Sequence, residues 1–480
     1  MIRIILIFTV LFSFVLANNS VKQLLTQIEK SEDLSQKTKQ ESVGIVYVIT
    51  RYQLDMMQAK TLADVLKNTI IGFNINKYGL LDPWSIEGVP YGSNGIRVFI
   101  DNQEITTARY DNGLFLFSDV DLSFVDHIEI YYLSPSYKIS TEPSYVIIRL
   151  FTKCPKRDEG KNLNFSSNIK NYAASFNYAD YPYLFHISNS HYDYDRKFKS
   201  YTISRKNNNV HLLMTYRNNY GYFLLNAFYN NRDPFVGGIG LNGYNGHLLF
   251  KNLHIGFNTN NSQSMKIIYT FDYLRDDHEF YENLFTMRKI KLEGFGFVNT
   301  LKLSKELNIN DHNIIFGGMF RNKKTKYFNI EFNNKKIFFD KMKDSNVLGG
   351  FVEDNIKIKN NLILGLGFEK DHYFNDKTDD FNLNQYKFSV TYLPDEKNVL
   401  KFAFQHLEYT YPPYYLIFSK KNLSNQKNNL FIIKYKRKLT SQDTFEGIAF
   451  YGINRNYIIS KNGELDNLPY KVHMKFINLT

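Results

Sequence analysis

Hydrophobic and polar positions follow two different rhythms along the chain. From Ile45 to Lys153, apolar runs of strand length are separated by turns and one helical stretch, whereas beyond Cys154 apolar and polar residues alternate almost singly. In the first region Ile45–Ile49, Ile96–Ile100 and Val146–Phe151 predict strands, and His127–Tyr132 sets Ile128, Ile130 and Tyr132 against Glu129 and Tyr131. Thr61 is a good N-cap, Asp64 can return a hydrogen bond to it, and Leu62, Val65 and Leu66 form one apolar face of a helix. Asp101–Asn102 predicts a hairpin turn. Together these elements predict a compact α+β unit over 45–153.

The second rhythm predicts strands wet on one face. Val210, Leu212, Met214 and Tyr216 oppose His211, Thr215 and Arg217, and Met265, Ile267, Tyr269, Phe271 and Tyr273 oppose Lys266, Thr270 and Asp272. The same holds for Tyr386, Phe388, Val390 and Tyr392 against Lys387, Ser389 and Thr391. It holds again for Tyr470, Val472, Met474 and Phe476 against Lys471, His473 and Lys475. A soluble sandwich also alternates, but its apolar face is a mostly aliphatic interior. Here that face is rich in rings and the other carries Lys, Asn, Asp and Arg, the pattern of lipid outside and water inside. Roughly eighteen such segments fit between 154 and 480.

Ahead of both regions, Arg3, the apolar run Ile4–Leu16 and a small residue at Ala17 predict a secretory signal peptide over 1–17. The run falls short of the about 20 residues a helical span needs. Residues 18–44 are polar, with Val21, Leu24, Leu25 and Ile28 on one helical face, and predict a periplasmic extension.

Composition sharpens this picture. Thirty-six Tyr and 41 Phe against one Trp suit the aromatic girdles of an outer-membrane barrel better than a soluble core. The net charge of +12 comes from lysines interleaved with asparagines rather than from a basic stripe, which argues for a solvated surface and against nucleic acid. A single cysteine, Cys154, excludes an internal disulfide and reads as a spacer at the junction.

The ordered segments Val48–Thr50, Thr61–Leu66, Ile86–Pro90, Val98–Asn102, Val125–Ile130 and Ile147–Lys153 resemble the plug domain of TonB-dependent outer-membrane receptors. The chain departs from that pattern at Glu87, where the family usually has arginine, and at Tyr132–Pro135, where it has an Arg-Gly-Pro turn. The resemblance implies a transmembrane antiparallel β-barrel closed by an N-terminal α+β plug: signal peptide 1–17, extension 18–44, plug 45–153 and barrel 154–480. Family members have 22 strands, and roughly 18 to 22 are expected here, with about ten residues per strand. The final residues Ile477–Thr480 lack the usual terminal aromatic, so either the barrel is small or the chain stops before its last strands.

The resemblance also implies an outer-membrane importer of a scarce solute such as a siderophore, haem or cobalamin, N-terminus in the periplasm and energised by a TonB-type inner-membrane complex. Residues 18–44 show no clear segment for that complex to pair with by strand addition. Carried over by position, the ligand-facing plug loops contain Tyr78, Trp84, Tyr91, Ser93, Asn94, Arg109 and Tyr110, whose rings and guanidinium suit a flat or anionic chelate. Beside the small-molecule ligand, the expected partner is outer-membrane lipid. Two other readings stay open: a surface receptor, adhesin or scaffold with a static plug, and a passive or export channel.

Other chemistry finds little footing. Gly238, Gly240 and Gly243 have dinucleotide-fingerprint spacing, but His247–Phe257 after them reads as a strand, so a barrel loop is expected. Asp276-Asp277-His278-Glu279 is the best local candidate for a cation, read here as a solvated loop tip because no glycine makes the turn. Scattered histidines offer no zinc spacing, and no nucleophile elbow appears. Neither an enzyme, a resident metal nor a cofactor is expected.

Overall fold

The computed structural model describes residues 45–69, 73–75, 84–86, 95–111, 113–132, 136–140, 142–198, 201–233, 247–259, 265–283, 287–336, 344–376, 379–395, 397–410, 423–439, 444–461 and 464–479. The leader and extension (1–44), Glu87, Leu133–Pro135 and Gly238–Gly243 lie outside them.

The inner unit is a five-stranded sheet. Its strands are β1 (Ile45–Ile49), β4 (Ile96–Ile100), β5 (Gln103–Ile105), β6 (Val125–Tyr132) and β7 (Val146–Thr152), in the order β1-β6-β7-β4-β5. Only β4 and β7 run parallel. A small hairpin of β2 (Phe73–Ile75) and β3 (Trp84–Ile86) accompanies them. Asp101, at φ 54°, makes the two-residue turn from β4 into β5. Helix α2 (Leu62–Thr69) starts as its sequence predicts: Thr61 N donates to Asp64 Oδ2 at 3.2 Å and Asp64 N to Thr61 Oγ1 at 3.3 Å. Helix α1 (Arg51–Met56) is the same device one step earlier, with Thr50 and Gln53 in a capping box. A short α3 covers Leu114–Phe117.

Around this unit the rest of the chain rolls into one antiparallel barrel. Its strands are β8 (Gly160–Ser167), β9 (Tyr172–Asp180), β10 (Tyr183–Phe198), β11 (Tyr201–Arg217), β12 (Gly221–Arg232), β13 (His247–Thr259), β14 (Lys266–Asn283), β15 (Met287–Ile309) and β16 (His312–Phe332). They continue through β17 (Lys335–Lys336), β18 (Ser345–Lys359), β19 (Leu362–Asn375), β20 (Phe381–Asp395), β21 (Asn398–Tyr409), β22 (Gln426–Lys438) and β23 (Thr444–Arg455). A hairpin of β24 (Ile458–Lys461) and β25 (Glu464–Asn467) precedes β26 (Val472–Leu479), which lies beside β8 in the barrel order.

The direction of burial is the predicted one along most of the wall. On β11 the lumen takes Asn207, Asn209, His211 and Thr215, while Val210 stands outside; on β14 it takes Thr270, Asp272 and Asp276, while Ile267 and Tyr269 stand outside. Leu366, Phe368, Tyr386, Tyr392 and Phe402 continue the outer apolar band. An exterior of rings and aliphatic chains over a polar interior is what a strand requires when one face meets lipid.

Three expectations change. Seventeen strands form the barrel order among the described residues, and the two-residue β17 only extends the β16 hairpin. The estimate of 18 to 22 assumed spans of about ten residues, whereas β15 has 23 and β16 has 21, so fewer strands consume the same chain. The last strand is inverted as well. Gly452 pairs with Met474 and Asn454 with Val472, and because directly opposed residues share a face, Val472 and Met474 point inward with buried Asn454. His473 and Lys475 therefore face outward. Finally, Asp276–Glu279 is no loop tip. It lies inside β14, with Asp276 and His278 in the lumen.

Candidate functional site

Where the plug sheet meets the barrel wall, charged and polar side chains from both are buried against one another. The segment after β5 carries Arg109 and Tyr110 to β14. Arg109 forms an ion pair with Asp276, its guanidinium stacked 3.9 Å above the Tyr327 ring of β16. Tyr110 donates its hydroxyl to the same carboxylate oxygen at 2.9 Å, and His278 Nε2 lies 2.8 Å from it. Arg109 and Asp276 are only 1 % and 2 % exposed. Burial opposes the charge on Arg109, but Asp276 beside it holds the guanidinium's pKa above its ordinary value.

A larger cluster lies deeper. Arg97 of β4 reaches Glu104 of β5 and Glu142 at 2.6 Å each. From β16, Arg321 pairs with Glu142 and, at 2.6 Å, with Glu104; Lys323 bridges Asp111 at 2.7 Å and Glu142 at 3.3 Å. Tyr373 of β19 adds a hydrogen bond to Glu142 at 3.0 Å. Burial works against ionisation of Glu142, yet Arg321, Arg97 and Lys323 outweigh it and hold its carboxyl well below the usual range. Such groups are kept charged only because each has its counter-charge in place.

Two further contacts fix the plug's other sides. Asp101 accepts hydrogen bonds from Thr152 N at 2.9 Å and from Tyr222 Oη of β12 at 2.6 Å, and pairs with Arg217 at 3.0 Å. On the β18–β20 side, Tyr137 enters a socket: its N–H donates to Glu353 at 2.9 Å, Lys387 lies 3.8 Å above its ring, and Lys302 donates to the carbonyls of Tyr137, Lys138 and Ile139. Apolar packing completes the seal, with Phe117 stacked on Phe228 and Tyr145 on Tyr409.

Glycines in the wall let the plug come this close. A Cβ at Gly256 would sit 1.9 Å from Gln103 Oε1, and one at Gly294 would sit 2.4 Å from Arg109 Nη2.

Residues 38–138 match the family model described as TonB-dependent Receptor Plug Domain. With that domain seated in the lumen of the barrel, the architecture is decided. The chain carries a plug domain of the TonB-dependent receptors inside a barrel of their fold.

Solved structures of this receptor fold agree along most of the length. The ferric-catecholate import receptor Fiu of E. coli K12 has a TM-score of 0.61 at 12 % identity, covering 92 % of this chain and 81 % of its own. The ferric yersiniabactin uptake receptor FyuA of Yersinia pestis has 0.67 at 13 %, covering 91 % and 76 %. The hemophore receptor HasR of Serratia marcescens, solved with its hemophore HasA and heme, has 0.67 at 11 %, covering 91 % and 79 %. No curated protein matches the sequence.

Of the predicted ligand residues, the receptor fold brings together Arg109 and Tyr110, and it turns them onto the barrel wall. Trp84 is described by its backbone in β3 alone, and Tyr78, Tyr91, Ser93 and Asn94 lie outside the described residues. Sequence reasoning missed Arg97, Glu104 and Glu142. One signal was present: Arg97 interrupts an otherwise apolar, fully buried strand, and a charge at such a position demands a partner.

Proposed function

We propose that this receptor is an outer-membrane importer of a scarce solute, an anionic or flat metal chelate of the siderophore, haem or cobalamin class. The observation that carries the reading is a plug of the TonB-dependent type held in the lumen by buried ion pairs on several sides. A solute crossing such a barrel needs the plug to rearrange, and breaking buried pairs at several kcal/mol each calls for an external energy source. A TonB-type inner-membrane complex is that source.

Connections such as β9–β10, β15–β16 and β18–β19 are tight on one rim, while the β24–β25 hairpin stands on the other. Barrels of this kind keep short turns in the periplasm, the side from which an energy-coupling partner would act. Asp276 lies in the half of β14 nearer the opposite, outward rim, and we assign Arg109 and Tyr110, its plug partners, the role of sensing a bound ligand; Tyr78, Trp84, Tyr91, Ser93 and Asn94 are the other residues proposed to bind it.

The test is uptake of labelled chelates by cells carrying the chain with residues 18–44 removed. Abolished uptake with an assembled barrel supports energised import; unchanged uptake discards it. The departures at Glu87 and Tyr132–Pro135 favour a second reading, a static plug in a surface receptor or scaffold. Planar bilayers separate it from a passive channel: a scaffold does not conduct with its plug in place, and a channel does.

A further inference from the structure

The lumen face of β19 carries two carboxylates that the ion-pair network does not use. Glu369 and Asp371 are 1 % and 0 % exposed and stand two residues apart on one face of the strand. Gln385 of β20, directly opposite Glu369, donates its amide to Glu369 Oε2 at 2.6 Å. The remaining oxygens, Glu369 Oε1, Gln385 Oε1 and both oxygens of Asp371, have no protein partner. Neither does the hydroxyl of Tyr137, the plug residue that occupies the socket beside them.

Basic groups in the neighbourhood are already engaged. Lys387 pairs with Glu353 at 2.7 Å, Lys302 is turned onto three plug carbonyls, and Arg97, Arg321 and Lys323 are shared among Glu104, Glu142 and Asp111. Opposite Asp371 on β18 stands Gly349, where a Cβ would fall 2.1 Å from Asp371 Oδ1. The carboxylate thus lies in space that only a glycine leaves open.

A fully buried carboxylate oxygen with no hydrogen-bond partner is costly, and two carboxylates on one strand face also repel each other. Hydrogen bonds alone do not remove that charge. The free atoms are all oxygens, with no nitrogen or sulfur donor among them, which is the donor set of a hard cation. Tyr137 packs against this same strand: a Cβ at Gly367, two residues before Glu369, would fall 2.9 Å from its Cε2.

We propose that Glu369, Asp371 and Gln385 of the barrel wall, with Tyr137 of the plug, form a binding site for a hard divalent cation of the calcium and magnesium class. Bound there, the cation neutralises the wall carboxylates and ties the plug segment 136–140 to β19 and β20. The site stands apart from the transport reading, since it requires only the wall and this plug segment.

The experiment is thermal unfolding of the full chain in detergent, stripped with chelator and titrated with CaCl2 or MgCl2, alongside calorimetric titration with the same salts. The expected result is one saturable site with a rise in Tm. Asp371→Asn abolishes both and, in chelator, unfolds no lower than the natural chain because the unbalanced charge is gone. Equal responses of the natural chain and Asp371→Asn overturn the proposal, as does no response at all. A Tm that follows pH and ignores both cations assigns Asp371 a proton and overturns it too. If Asp371→Asn does not assemble, Tyr137→Phe decides: removing this neutral ligand should weaken calcium binding roughly ten-fold, and unchanged affinity sinks the site.

Discussion

Arg109 of the plug and Asp276 of the barrel wall form a buried ion pair between residues 167 positions apart, under the ring of Tyr327. Tyr110 and His278 converge on the same carboxylate oxygen. Removing either charged partner leaves the other buried and uncompensated, at about 3–5 kcal/mol. Arg109→Ala and Asp276→Ala should each lower the Tm of the detergent-solubilised receptor, and the double variant should lose less than the sum. An additive double-mutant cycle would show that the two side chains do not act as a pair.

Close approach of plug and wall depends on bare backbone at Gly256. Gly256→Val should displace Gln103 and with it the Gln103–Asn258 hydrogen bond of 3.1 Å, making the plug more sensitive to protease. Adding Gln103→Ala should restore much of the resistance by clearing the space. Protection unchanged by Gly256→Val would refute the close contact.

The Glu142 cluster sets an acid limit. Its carboxyl is held well below 4.5 by Arg321, Arg97 and Lys323 in spite of burial. A depressed folded-state pKa contributes stability that is complete above the unfolded value and disappears as pH falls through the folded one. The plug should therefore stay locked at pH 5 and loosen only in stronger acid, read as protease sensitivity against pH. Glu142→Gln should be looser already at neutral pH and show a flatter acid limb.

Lys153, at the end of the plug, acts in the alkaline range instead. Burial, with Arg51 adding, lowers its pKa from 10.5 to about 8. Between these values the unfolded chain binds the extra proton, so stability should rise as pH goes from about 8 to 10.5. Lys153→Gln should remove this alkaline rise; a rise of the same size in the variant would assign it to another group.

Local rules act over a few residues, and these the chain states by itself. Thr61 with Asp64 starts α2, Asp101 turns β4 into β5, and single alternation along β11, β14 and β20 says that one face is wet and the other apolar. An ordered set of plug-like segments ahead of those strands was enough to predict a stoppered barrel. What tertiary structure alone decided is pairing between distant elements. Arg321 meets Glu142 across 179 positions, and nothing near either residue encodes that distance. Strand number followed from spans as long as 23 residues, which alternation does not bound. The inverted face of β26 followed from its register with β23, since a period of two fixes which residues share a side but not which side faces the lumen. Taken alone, Asp276–Glu279 reads as a solvated loop tip; pairing with β13 and β15 set it inside β14, with Asp276 and His278 against the plug.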